Sequence, residues 1–105
     1  MKAIMVFITS ANREEAEKIA RILVEERQAA CVQILSQIKS FYRWQGEVIQ
    51  DKEILLLAKT TAENFAELEK TVCANHSYEV PEIVAVPATQ ISEPYLNWLW
   101  ENTTQ

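Results

Sequence analysis

The chain is 105 residues long and 49% hydrophobic, with three Trp, three Tyr and three Phe, enough apolar material for one packed core and too much for a disordered chain. Its formal charge is −5, from 15 Asp and Glu against 10 Lys and Arg. Such a surface repels phosphate backbones, and no basic stripe with interleaved aromatics is present, so nucleic acid is not expected as a partner.

No Gly-, Ser- or Pro-rich stretch, low-complexity run or internal repeat interrupts the sequence, so residues 1–105 read as one domain. The apolar run from Ala3 to Ile8 is too short for a secretory segment or a membrane span and reads as a buried strand reaching Thr9. Asn12 followed by Glu15 has the spacing of a capping box. Ala16, Ile19, Ala20, Leu23 and Val24 then recur at three- and four-residue intervals, the stripe of an amphipathic helix.

From Ala29 the pattern turns to β, through Cys31-Val32-Gln33-Ile34-Leu35 and on along Ile38, Ser40 and Tyr42. Gly46, the only glycine, sits where a residue tolerating positive φ would close a hairpin. The return strand passes a polar patch at Gln50-Asp51-Lys52 and ends in the apolar run up to Lys59. Thr60 with Glu63 repeats the capping spacing, and Phe65, Leu68 and Val72 mark a second helix ending near Asn75. Ile83–Val86 is a further strand, with Pro87 pointing to an edge or bulge. Ser92, Glu93 and Pro94 open a short final helix loaded with Tyr95, Leu96, Trp98, Leu99 and Trp100, read as packing residues. The order β-α-β-β-α-β plus a terminal helix is that of an α+β, ferredoxin-like antiparallel sheet.

Each arm of the middle hairpin, Ala29 to Lys59, spans roughly 43 Å at about 13 residues. A domain of this length is only about 35 Å across. The hairpin must therefore overhang its own helices, and a second copy covering it would remove an aggregation-prone edge. The alternative is a strand broken by a bulge near Gln50 and folded back on the domain.

Five stretches together resemble the CutA divalent-cation tolerance proteins. They are Ala29-Ala30-Cys31-Val32, Ser40-Phe41-Tyr42-Arg43-Trp44-Gln45-Gly46-Glu47, Leu57-Ala58-Lys59-Thr60, His76-Ser77-Tyr78-Glu79-Val80-Pro81-Glu82-Ile83 and Tyr95-Leu96-Asn97-Trp98-Leu99. The resemblance implies a ferredoxin-like fold and a homotrimer built through the hairpin strands. It also implies a role in tolerance to copper and other divalent cations, with no established reaction. Ser77 stands where the family commonly has a proline, so the backbone before Tyr78 is less constrained here.

The candidate metal ligands are His76, Cys73, Glu79 and Glu82. His76, the only histidine, follows Cys73 by one helical turn, and an imidazole beside a thiolate suits copper(I) or zinc. Two ligands do not complete a tetrahedral site, so Glu79, Glu82 or a neighbouring subunit would supply the rest. In the competing reading Cys73 packs beneath the helix and His76 caps its end. Cys31 reads as packing. Tyr78 to Glu82 would line an intersubunit cleft with Tyr42, Trp44 and Lys59.

No nucleophile–base–acid set is recognisable and one glycine cannot build a phosphate loop, so neither an enzyme nor an organic cofactor is expected. Two thiols without a Cys-x-x-Cys pair point to a reducing, cytoplasmic setting with no membrane. Two functions stand side by side: a trimer binding copper or another divalent ion, and a trimeric small-molecule sensor whose clefts take an anionic metabolite. The second rests on fold analogy alone.

Overall fold

The computed structural model describes residues 2–104. The elements are β1 (Ala3–Ser10), α1 (Arg13–Glu25), β2 (Cys31–Trp44), β3 (Glu47–Thr61), α2 (Phe65–Ala74), β4 (Ile83–Pro87) and α3 (Glu93–Glu101), with a 3-10 turn at Ala62–Asn64. The sheet order is β2-β3-β1-β4 and every neighbouring pair is antiparallel. This is the ferredoxin-like arrangement expected from the element order.

Central β1 pairs on both sides, with Ile8 opposite Leu56 of β3 and Ile83 of β4. Its even-numbered residues Ile4, Val6 and Ile8 pack against Ile19 and Leu23 of α1 and Leu68 and Val72 of α2. Each fully buried aliphatic side chain of this kind contributes about 1.5–3 kcal/mol, so the cluster is the main source of stability. Ala3, on the opposite parity, joins a second cluster with Ala30 and Leu99 of α3. Pro87 ends β4, an edge strand, where its missing N–H costs no ladder bond.

Both capping readings need correction. Asn12 does cap α1, accepting the Glu15 N–H at 2.8 Å. The Glu15 carboxylate, however, does not return to Asn12; it bonds Ser10 and Ser77. Thr60 is buried and donates its hydroxyl to the Gln28 carbonyl at 2.7 Å, so it caps nothing. At the far end of α2, Asn75 rather than His76 reaches back, its side chain donating to the Thr71 carbonyl at 2.8 Å.

The hairpin arms are 14 and 15 residues long, and the molecule measures 44 × 25 × 22 Å. Gln45 (φ 49°) and Gly46 (φ 84°) form a two-residue turn between the paired Trp44 and Glu47, both in the left-handed region that suits the twist of the strands. β3 runs unbroken through Gln50. The irregularity lies instead in β2, between Leu35 and Ile38, where Gln37 has a φ of 63°. Beyond this point the hairpin's apolar side chains stand open to solvent, Phe41 and Val48 being 64% and 67% exposed. Strand alternation and register put Ser40, Tyr42, Trp44, Asp51 and Glu53 on one face, and Lys39, Phe41, Arg43, Val48 and Lys52 on the other. One face is acidic and aromatic, the other basic and apolar.

Candidate functional site

The site lies where β1 ends, the hairpin begins to overhang and the segment after α2 crosses the sheet. His76 fastens that segment. Its side chain is fully buried, Nε2 is 2.6 Å from the Thr9 carbonyl, and Nδ1 accepts the Tyr78 N–H at 3.1 Å. Because an amide can only donate, Nδ1 is the acceptor and Nε2–H donates to Thr9, the neutral tautomer. Glu15 is the second fastener: Oε2 accepts the Ser10 hydroxyl at 2.7 Å and Oε1 accepts the Ser77 N–H at 2.9 Å. Burial pushes the Glu15 carboxyl up, but the hydrogen bonds from Ser10 and Ser77 outweigh it, leaving the pKa below its ordinary value.

With residues 76–78 held, the Tyr78 ring lies 4.8 Å from the His76 ring and its hydroxyl donates to Glu53 Oε2 at 2.8 Å. Burial, then the bond to Glu53, drive the Tyr78 phenol well above its ordinary pKa. Tyr42 donates similarly to Asp51, and that hydrogen bond is the first cause of its own raised pKa. Glu82 is raised too, by burial first and then by the negative charge of Glu53.

These side chains bound a cleft of about 630 Å³. Its aromatic wall is Tyr42, Trp44 and Tyr78, its carboxylates are Glu53, Glu79 and Glu82, and its hydroxyls are Thr9, Ser40 and Ser77; Phe41 borders it from a strand position whose side chain alternates to the opposite face. Among the described residues no Lys, Arg or His lines it.

Of the four residues read from the sequence as metal ligands, the fold brings Glu79 and Glu82 to this cleft. His76 lies behind the lining with both ring nitrogens occupied. Cys73 is exposed on α2 rather than packed beneath it, also outside the lining. The cleft forms within a single chain and does not include Lys59, whose ammonium donates to Gln33 Oε1 at 2.6 Å. Sequence reasoning missed Glu53 and Glu15. Glu53 does leave a trace, a carboxylate on the same strand parity as Leu55 and Leu57. Glu15 leaves none beyond its capping-box position. Among the described residues no group of three or more His, Cys, Asp and Glu is arranged to hold a metal ion, so one chain by itself does not offer a compact ligand set.

A ferredoxin-like sheet with a long overhanging hairpin and an acidic, aromatic cleft at its root defines the class. Residues 4–102 match the CutA1 divalent ion tolerance protein family, to which the chain belongs. It is 54% identical over 99 residues to the divalent-cation tolerance protein CutA of Thermus thermophilus, covering 94% of this chain and 96% of that one. It is 45% identical to the chloroplastic protein CutA of Arabidopsis thaliana, covering 96% of this chain but 56% of that one. Among solved structures, the Thermus thermophilus protein superposes with a TM-score of 0.95 at 52% identity, covering 97% and 99% of the two chains. CutA1 of Oryza sativa superposes at 0.96 and 38% identity, covering 100% and 96%. No described helix is long and apolar enough to cross a membrane.

Proposed function

We propose that the chain serves in divalent-cation tolerance as a homotrimeric, non-catalytic cation-binding protein of the cytoplasm. The observation that carries this reading is a cleft lined by Glu53, Glu79 and Glu82 with no cationic side chain among them, in a protein of net charge −5. Opposed carboxylates such as Glu53 and Glu82, whose repulsion contributes to the raised pKa of Glu82, are relieved by a cation. Oxygen donors of this kind suit hard divalent ions, and copper(II) when nitrogen joins them. Because one chain offers no compact set, the ion would sit on carboxylates from more than one copy. His76 would join only by giving up the Tyr78 N–H, and Cys73 only by way of a neighbouring subunit.

Assembly rests on the hairpin. Phe41 and Val48 expose apolar surface on a face that also carries Lys39, Arg43 and Lys52, while the opposite face is acidic. Two unlike faces favour head-to-tail contacts that close into a ring. Cys31 and Cys73 are free thiols, which fits a reducing compartment.

The test is calorimetric titration with copper(II) and with zinc, paired with light scattering for mass. The native protein should have three times the chain mass and bind with defined stoichiometry, and Glu79→Gln/Glu82→Gln should lose the binding while keeping the mass. Unaltered binding in the double variant sinks the site, and a monomeric native protein sinks the assembly. Val48→Asp, which puts a charge on the exposed face, should give a smaller species.

A metabolite anion, the other sequence-based reading, would face three carboxylates and no Lys, Arg or His in this lining. The geometry favours a cation.

A further inference from the structure

The charged residues of the overhanging hairpin are sorted by face without exception. Between Ile38 and Glu53 they are Lys39, Arg43, Glu47, Asp51, Lys52 and Glu53. The register pairs Lys39 with Lys52 and Arg43 with Val48, and sets Glu47, Asp51 and Glu53 opposite Trp44, Ser40 and Ile38. Paired residues point to one side and the side alternates along each strand, so all three cations share one face and all three carboxylates the other. Among the described residues no carboxylate lies within ion-pair distance of Lys39, Arg43 or Lys52, and no cation within that distance of Glu47, Asp51 or Glu53. Lys39 and Lys52 stand directly opposite each other, an arrangement that disfavours the pairing of their strands. The countercharge that would relieve them is on the far side of the same hairpin, out of their reach within one chain.

From this sorting we infer that the two faces meet across copies: the Lys39, Arg43 and Lys52 face of one chain seats on the Glu47 and Asp51 face of a second copy. The spacings agree. Arg43 follows Lys39 by four residues and Asp51 follows Glu47 by four, about 13 Å along either strand. Hairpins laid in the same direction, tip over tip, therefore bring Arg43 to Glu47 and the two lysines to Asp51. The apolar surfaces agree as well, with exposed Phe41 and Val48 on the basic face and Tyr42 and Trp44 on the acidic one. Trp44 pairs with Glu47, so a guanidinium arriving at that carboxylate also meets an indole face. A two-stranded ribbon twists more strongly than a wide sheet, so the joined copies are turned relative to one another, which allows closure into a ring instead of a flat stack. The inference rests on the assembly part of the proposed function and names its joint, leaving Glu79 and Glu82 free for a cation.

The test is subunit exchange between isotope-labelled and unlabelled protein at low ionic strength, followed by native mass spectrometry. Arg43→Glu leaves the hairpin tip acidic on both faces, and Glu47→Arg leaves it basic on both. Each should speed exchange at least about tenfold by setting like charges against each other, and Arg43→Glu/Glu47→Arg, which only exchanges the faces, should return to within about threefold of the native rate. Both positions are exposed and neither lines the cleft, so the changes spare the core and the proposed cation site. Where a single variant no longer assembles alone, mixing it with the other supplies the measurement: the pair should form mixed rings in excess of the statistical proportion. A native trimer whose exchange neither variant alters, a double variant that exchanges as fast as the single ones, or purely statistical mixing overturns the inference and leaves the assembly reading standing. A native monomer removes the assembly reading, and the inference with it.

Discussion

The Tyr78 hydroxyl donates to Glu53 Oε2 at 2.8 Å, joining two residues 25 positions apart and tying the segment after α2 to the root of the hairpin. The bond satisfies one oxygen of a nearly buried carboxylate and orients the phenol ring that walls the cleft. Removing the donor without removing the ring isolates this bond. Tyr78→Phe should destabilise the protein by about 1–3 kcal/mol, the cost of leaving a buried acceptor unsatisfied. Chemical denaturation measures it, and an unchanged midpoint would show that water replaces the phenol at no cost.

Glu15 makes the fastening of residues 76–78 sensitive to acid. Its pKa is depressed in the fold, so its charge contributes stability that is full above the carboxylate's unfolded pKa and is lost as pH falls through the lower, folded value. Glu15→Gln should cost about 1 kcal/mol near neutrality, where charged hydrogen bonds are exchanged for neutral ones. The gap between variant and parent should close in acid. A gap independent of pH would assign the loss to shape alone.

Glu82 behaves in the opposite sense. Its folded pKa is raised, so the fold favours the protonated form, and that advantage disappears as pH rises through the folded value. Glu82→Gln should therefore raise the melting temperature at neutral pH and leave it unchanged in acid, by a small amount because the residue is exposed. Cation binding should strengthen as pH rises through the same range and release protons, detectable by calorimetry in buffers of different ionisation enthalpy. A binding heat independent of buffer would remove Glu82 from the site.

Gly46 tests the turn alone. A Cβ there would meet no heavy atom within 4 Å, so the cost of Gly46→Ala comes entirely from its φ of 84°. About 1 kcal/mol is expected, the penalty of holding a side-chain-bearing residue in the left-handed region. Gln45→Asn should act in the opposite direction, because Asn tolerates that region better and Asn-Gly is the favoured pair for such a turn. Thermal unfolding of both variants checks the pair, and identical shifts in one direction would contradict the turn assignment.

Much of the fold was legible because its signals are periodic and local. Ala16, Ile19 and Leu23 announced the buried face of α1, a short continuous apolar run announced β1, and a lone glycine announced the turn. The length of the hairpin and its excess over the body of the domain followed from residue count and strand rise. The alternative of a strand broken near Gln50 fails because β3 carries that polar patch on its open faces, while the one irregularity of the pairing lies in β2, where Gln37 has a positive φ.

The site was legible only in part. Glu79 and Glu82 could be picked out as cleft residues from a polar cluster in an apolar chain. Their partner Glu53 could not, nor could the transfer of Glu15 from a capping role to Ser10 and Ser77, nor the enclosure of His76 by Thr9 and Tyr78. Three of these bonds join residues 25, 62 and 67 positions apart. Hydrophobic periodicity states which face of an element turns inward, and the sequence by itself determined that much. Which polar group meets which across a sheet depends on register and crossing geometry, and only the tertiary structure decides it.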